Sequence, residues 1–548
     1  MPDSSAPNSA APNKKAEATL ETMRKIFTVP ESQHSTLHRL DREISENLMG
    51  FLRTRIVAGD IAPANLERDF QETRIPEDPL FVSEQVEFLL EKVVAQSVHT
   101  SAPSFIGHMT SALPYFMFPL AKIMMTLNQN VVKIETSKAF TPLERQVVGM
   151  LHRLVYGESD EFYAQWTQSF THSLGSFCSG GTLANVTALW VARNRLLGPR
   201  ADFAGVAEEG LAAALEHAGL RGVAVLVSRR GHYSLVKSAD LLGLGRRQLI
   251  SIPVTAAHTI DVPALRRELE ALRAKRIGIL ALVGIAGTTE TGSVDPLDEL
   301  ADIAGEYGVH FHVDGAWGGP TLFSSRHRHL LDGIARADSV TLDAHKQLYV
   351  PVGAGMVVFK DVQALSAVEH HANYVLRHGS RDIGKHTLEG TRQGMAMLVH
   401  SALRIIGRRG YDLLIGLGID KAKQFAGMIL GARDFELTSE PVLNLLTYRY
   451  LPPAARTALE RAAPAERVSL NLALDALNES IQKEQRAGGK TFVSRTRLET
   501  AAYAGQVLSV FRVVLANPLT TPEILRDILE EQRALGERLT VEEGHSFG

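Results

Sequence analysis

The stretch Val309-His310-Phe311-His312-Val313-Asp314-Gly315-Ala316-Trp317-Gly318-Gly319, read with Ser339-Val340-Thr341-Leu342-Asp343-Ala344-His345-Lys346, decides the fold. Residues 309–313 and 339–342 are short, β-branched and rich in apolar side chains, as strands buried in a parallel sheet are. Ligands of open α/β sheets sit in the crevice beyond the carboxyl ends of such strands. Asp314 and Lys346 are therefore both expected there, an acid and an amine in one cleft.

Pyridoxal phosphate calls for that pair: a lysine for a Schiff base and an acid to keep the pyridine nitrogen protonated. Gly315, Ala316, Gly318 and Gly319 leave little bulk, so a flat ring can approach the backbone closely. An isolated Asp is most often a paired core residue and an isolated Lys a solvated one. Here both stand at strand ends among Gly and His, which favours the chemical reading.

Working outward, 548 residues exceed a single hydrophobic core and imply two or three domains. A hydrophobic fraction of 45% and a charged fraction of 22% are ordinary for a soluble globular chain. The formal net charge is −3 with Lys and Arg scattered, which argues against nucleic acid as a partner. The one cysteine, Cys178, excludes an intrachain disulfide framework and fits a reducing cytoplasm. The first residues lack an apolar signal core, and residues 111–127 are interrupted by Pro114, Pro119 and Lys122, so neither export nor a membrane span is expected.

Residues 1–18 are rich in Ser, Pro, Ala and Asn and are expected to be disordered. Across 37–58, Leu37, Leu40, Ile44, Leu48, Leu52 and Ile56 recur at helical spacing, and 82–98 reads as a second helix. Both precede any sheet, so residues 19–100 are expected to pack on a partner subunit. Residues 101–400 read as the large domain. Within it, Thr141-Pro142-Leu143-Glu144 has the form of a helix start with Thr141 as N-cap. Ser179-Gly180-Gly181-Thr182 is a glycine turn running into a helix, a form that suits phosphate but lacks the Lys of a nucleotide loop. Residues 222–228 and 277–285 read as further strands, ending near His232 and near Thr288-Thr289. An imidazole in the place of His232 can stack on a planar ring. Cys178 beside the turn carries no mark of a nucleophile. Residues 369–392 lack periodicity, so part of them reads as a mobile loop over the cleft. Residues 401–548 read as a smaller α+β domain with a strand at 443–450 and a helix at 468–488.

The ordered series SGGT-LAN, HYS, GTT, HVDGAWGG, DAHK and EGTR resembles the group II pyridoxal-phosphate-dependent amino-acid decarboxylases, from about residue 103 to beyond 410. Within that family, the HVDGAWGGPTLF, EHHANYV and TLEG runs are most similar to the bacterial aspartate 1-decarboxylases that make β-alanine for pantothenate. The resemblance implies an α/β chain of fold type I with a mainly parallel seven-stranded sheet and a homodimer. It also implies roles. Lys346 matches the Schiff-base lysine, His345 its neighbour near cofactor and substrate, and Asp314 the acid on the pyridine nitrogen. Ala316 and His232 match the residues on the two ring faces, and Gly181 and Thr182 the phosphate cradle. Thr289 matches the threonine that contacts the cofactor or the substrate carboxylate, and Arg392 the arginine after the loop that helps recognise substrate. Several relatives carry a loop tyrosine where Arg381 stands, leaving Tyr374, His345 and His378 as candidate proton donors.

An acidic substrate needs a cation for its second carboxylate, and Arg377, Arg381, Lys385 and Arg392 lie in or beside the loop. Aspartate is the expected substrate and glutamate the alternative. Two other readings stand beside these. A catalytically silent pyridoxal-phosphate-binding protein follows if the missing tyrosine matters. A metallohydrolase follows if His310, His312 and Asp314, on one face of a strand, hold a metal.

Overall fold

The computed structural model describes residues 36–544 and 547, apart from 55, 60, 111 and 372–378. The expected disordered tail therefore lies outside the described residues, as do Tyr374, Arg377 and His378. The chain divides into two compact units, one of residues 1–105 with Glu484–Phe492 and one of Ile106–Lys483 with Val493–Gly548.

In the first unit, the apolar stripe forms a helix over Thr36–Phe51. It stops short of the expected residue 58 because Arg53 and Thr54 bond back three residues, to Gly50 and Phe51, tightening and ending the last turn. The chain then enters a small core of Val57, Ala102 and Phe105. There the Val57 amide donates to the Gly489 carbonyl at 2.7 Å, and Phe105 stacks on Phe492 with ring centroids 4.7 Å apart. The second expected helix is an α-helix over Val82–Phe88 that widens into a π-helical turn at Leu89–Val94. Apolar side chains remain exposed in this unit, among them Ile56, Phe70, Ile75 and Phe81.

The second unit is built on a seven-stranded sheet: β1 (Gly175–Cys178), β2 (Gly222–Ser228), β3 (Leu249–Ile252), β4 (Ile277–Ile285), β5 (His310–Asp314), β6 (Ser339–Asp343) and β7 (Gly355–Phe359). Its order is β1-β7-β6-β5-β4-β2-β3. The run from β6 to β3 is parallel, and β7 lies antiparallel to both β6 and β1. Helices separate the parallel strands in sequence, as crossovers between parallel neighbours require. Buried Val, Ile, Leu and Phe from both faces make the core, with Leu226, Leu282, Val313 and Val340 at or near zero exposure.

Two local details depart from the sequence reading. The helix expected to start at Thr141 runs Phe140–Tyr156 with Ala139 as N-cap. Thr141 lies inside it, and its hydroxyl bonds Ser137 Oγ at 2.6 Å. That pairing within the preceding turn displaces the N-cap role. Residues 372–378 of the expected loop lie outside the described residues. The residues that follow are fixed, with Asp382, Lys385 and His386 all buried.

The C-terminal part carries a second sheet, β8 (Phe435–Ser439), β9 (Leu445–Tyr450), β10 (Ser494–Glu499) and β11 (Val507–Val514), in the order β10-β11-β9-β8. A helical segment, Ala396–Gly431, leads into it and turns at Gly407, whose φ of 67° and ψ of 169° are not helical. Among the described residues, no helix is long and apolar enough to cross a membrane.

Candidate active site

β5 and β6 are parallel neighbours, with Asp314 in register with Thr341, so both end at the same edge of the sheet. A cavity of about 340 Å³ opens there. Its lining includes Gly181, Thr182, His232, Thr289, Asp314, Ala316, His345 and Lys346, brought together from segments far apart in the chain.

The glycine turn forms one wall. The helix Gly181–Leu196 begins at the turn, after Gly180 as N-cap. A Cβ on Gly181 would stand 2.7 Å from Asp343 Oδ2 and 3.3 Å from the Ala316 methyl, so only glycine lets helix and strand end approach this closely. The Ser179 amide donates to Glu389 Oε2 at 2.9 Å, which ties the EGTR segment to the turn. The helix N-terminus at this wall suits a phosphate.

Asp314 is buried and held from two sides. Its Oδ2 accepts from Asn185 Nδ2 at 2.9 Å and its Oδ1 from the Ala316 amide at 3.2 Å. Lys346 Nζ lies 3.3 Å from Asp343 Oδ2. Asp343 itself is buried, and its Oδ1 has no hydrogen-bond partner in the structure. His345 sits beside it, with Nδ1 placed 3.1 Å from the Ala354 carbonyl oxygen, to which it donates. His232 caps the helix Tyr233–Leu241, its Nδ1 accepting from the Ser234 amide at 3.3 Å. Burial lowers its pKa against the pull of Asp314, keeping the ring neutral. Cys178 is buried, and burial pushes its thiol up to about 12.

The cations are elsewhere than the loop pattern implied. Arg392 does not line the cavity: its guanidinium makes a two-pronged pair with buried Glu144. Lys385 pairs with Glu369 at 2.9 Å. The Arg381 guanidinium lies 5.3 Å from the Phe170 ring centroid. The carboxylates that pair with Arg392 and Lys385 are distant in sequence, so local pattern could not show that those two charges were already neutralised.

One guanidinium that the motifs did not mark lines the cavity instead, and a second bonds a residue that does. Arg230, just after β2, lines it, and its buried Nε and Nη2 have no hydrogen-bond partner. Arg512 of β11 donates from Nε to the Thr289 carbonyl at 2.5 Å and from Nη1 to the Gly107 carbonyl at 3.1 Å and Ser494 Oγ at 3.4 Å. Its Nη2 is likewise buried without a partner. Burial lowers the pKa of Arg512 to about 10, with Glu290 opposing. An unpartnered buried guanidinium is costly unless an anion meets it. A sequence signal for Arg512 existed only as an Arg interrupting the apolar run of a strand.

His310, His312 and Asp314 share one face of β5, but their side chains do not converge. They are strung out through intervening side chains, His310 and His312 sharing Ser339 and His312 and Asp314 sharing Asn185. Among the described residues, no group of three such side chains could hold a metal. That arrangement overturns the metal reading of the strand.

Residues 63–451 match the pyridoxal-dependent decarboxylase conserved domain. The chain is 58% identical over 523 residues to the aspartate 1-decarboxylase of Aliivibrio fischeri, covering 95% of this chain and 96% of that protein. It is 25% identical over 470 residues to the L-2,4-diaminobutyrate decarboxylase of Acinetobacter baumannii, covering 84% of each. Its fold is similar to that of mouse CSAD, with a TM-score of 0.79 at 24% identity, over 92% of this chain and 99% of that one.

Proposed function

This chain belongs to the pyridoxal-dependent decarboxylase family, and we propose that it removes the α-carboxylate of L-aspartate to give β-alanine and carbon dioxide. The family alone does not choose a substrate, since a relative 25% identical over 470 residues is named for a diamino acid. The observation that carries the choice is Arg230, a buried guanidinium with unpartnered N–H that lines the cavity, backed by Arg512, which bonds the carbonyl of the lining residue Thr289. With Glu290 acting on both, they still offer N–H groups to a side-chain carboxylate, which planar guanidinium reads with two parallel bonds. An aromatic substrate would need an apolar recess there. Glutamate is one methylene longer, a difference worth only about 1–3 kcal/mol in a pocket, and the high identity to an aspartate decarboxylase favours the shorter acid.

The residues present fit pyridoxal phosphate. Lys346 is the amine that would hold it, Asp314 the acid for its ring nitrogen, and Ala316 and His232 the neighbours of its two faces. Gly181 and Thr182 would cradle its phosphate at the helix start. When bound, it supplies an electron sink for the pair that the departing carboxylate leaves behind. Asp343 keeps the Lys346 amine at the cavity wall. Asp314 is held in place by the two hydrogen bonds it accepts. Arg512 and Arg230 orient the substrate by its far end, which leaves the α-carboxylate without a strong cationic hold and so free to depart. His345, its Nδ1 donating to Ala354, gives a proton to Cα from Nε2 only as the imidazolium, which carries a second hydrogen there.

A homodimer is part of this reading. The exposed apolar side chains of residues 19–100 supply a surface for a second copy, and residues 101–400 and 401–548 serve as the large and small domains. The single cysteine supports a cytoplasmic site of action.

The test is Arg512→Gln. It is expected to raise KM for aspartate at least tenfold while leaving cofactor absorbance in place. An unchanged KM would remove Arg512 from substrate recognition.

A further inference from the structure

His310, His312 and Asp314 alternate down one face of β5, and only Asp314 reaches the cavity. His312 is buried at zero exposure and His310 is half-buried; neither lines that cavity, and His312 reaches it only through Asn185, which does. Their hydrogen bonds form one continuous line. His310 Nε2 lies 2.8 Å from Ser339 Oγ, and Ser339 Oγ 2.8 Å from His312 Nδ1. His312 Nε2 lies 3.1 Å from Asn185 Oδ1, and Asn185 Nδ2 2.9 Å from Asp314 Oδ2. The sheet builds this line: His312 pairs with Ser339 across β5 and β6, and the helix Gly181–Leu196 lays Asn185 over the same face.

The proton positions along the line follow by deduction. The Asn185 amide must turn its NH2 toward the Asp314 carboxylate, because two oxygens would repel there; the same NH2 also reaches Ser234 Oγ at 3.1 Å. Its carbonyl therefore faces His312 Nε2, which must carry hydrogen. Burial keeps His312 neutral, its pKa lowered despite the attraction of Asp314. A neutral imidazole has one N–H, so Nδ1 accepts, and it accepts from the Ser339 hydroxyl. Ser339 Oγ in turn accepts from His310 Nε2–H, and burial lowers the His310 pKa to about 3, so that ring too is neutral. Every bond in the line points toward Asp314.

We propose that His310, Ser339, His312 and Asn185 form a relay of positioning residues that donates toward Asp314 and holds it oriented for the cofactor's ring nitrogen. Aligned hydrogen bonds polarise one another, and their strength in a low-dielectric interior is what makes a distant member felt. No proton passes along the line, since the Asn185 amide cannot carry one; the relay acts by orientation and field. The inference rests on the reading of Asp314 as the acid beside the pyridine nitrogen.

The experiment is 15N NMR of the holoenzyme carrying 15N-labelled pyridoxal phosphate, with the pyridine-nitrogen shift as readout beside kcat and KM. Asp314→Asn is the control: a pyridine shift unchanged in that variant would sink the reading of Asp314 itself. With that control moved, Ser339→Ala and His312→Leu are expected to move the shift toward the unprotonated value. They should also lower kcat about threefold to tenfold with KM for aspartate unchanged, the size of one net hydrogen bond. His312→Gln, which keeps a donor toward Asn185, is expected to recover most of both. A wild-type shift in Ser339→Ala and His312→Leu would overturn the relay while leaving Asp314 in its role. Should these variants not fold, histidine-labelled wild-type enzyme decides. Both His310 and His312 are expected as Nε2–H tautomers, and an Nδ1–H tautomer at His312 would overturn the relay.

Discussion

Asp314 and Lys346 face one cavity because two adjacent parallel strands end together, and that much follows from β-branched runs closing on Asp-Gly and on Asp-Ala-His-Lys. Their chemistry differs from that of the neighbouring charges in one respect: each sits where its partner is expected to be a ligand. Lys346→Ala is expected to abolish turnover without loss of the fold. Borohydride reduction of the wild-type holoenzyme should fix the cofactor to the peptide that carries Lys346. An adduct on another lysine would displace it from that role. His232, Ala316 and Gly181 were legible for the same reason as Lys346, because each lies at the end of a strand or the start of a helix. Arg230, Arg512 and Asp343 were not. Arg512 matters through the Thr289 carbonyl 223 residues away and through a buried Nη2 without a partner, and neither is a property of local pattern. Conversely, the place of Arg392 in the EGTR run says nothing of its pairing with Glu144.

Among the elements, the seven-stranded sheet follows from apolar runs separated by helical stretches, and β2 and β4 occupy the residues their composition marked. Strands such as β1 and β7 escaped notice because four or five residues flanked by glycine carry too little pattern to stand apart from a loop. Nor did pattern show how the two signatures are locked to each other. Trp317, from the first, donates its indole N–H to Asn444 Oδ1 at 2.9 Å. Gln347, next to Lys346, accepts from Asn444 Nδ2 at 2.9 Å and donates to the Trp317 carbonyl at 2.7 Å. All three side chains are buried. Asn444 stands just before β9 and so joins the second sheet to both signatures. Asn444→Leu leaves the Trp317 N–H and the Gln347 carbonyl buried without partners. It is expected to lower stability by about 3 kcal/mol, read by urea unfolding, and to weaken cofactor binding. A variant with wild-type unfolding would show the triangle to be dispensable.

Across the whole molecule, several histidines are buried neutral, and this sets how stability responds to acid. Burial lowers His152 to about 4 and His310 to about 3, and lowers His312 and His386 as well. In the unfolded chain these rings take up protons near pH 6.5, whereas in the folded chain they resist until far lower pH. The unfolded state thus binds more protons, and stability falls as pH drops from about 6.5 toward 4, by up to about 1.4 kcal/mol per pH unit for each ring. Asp295 and Asp475 work the other way: burial raises both, Asp295 to about 6, so below about 6 they favour the folded state as pH falls. With four rings against two carboxyls, chemical denaturation at pH 5 is expected to need less urea than at pH 7. Equal midpoints would contradict the burial of these rings. The central claim, decarboxylation of aspartate, is tested most directly by kcat/KM of the purified holoenzyme for L-aspartate, L-glutamate, cysteine sulfinate and an aromatic amino acid. Aspartate is expected to give β-alanine and carbon dioxide with kcat/KM at least about tenfold above glutamate, the scale set by one methylene. Preference for the aromatic amino acid, or no carbon dioxide from any of the four, would contradict the account.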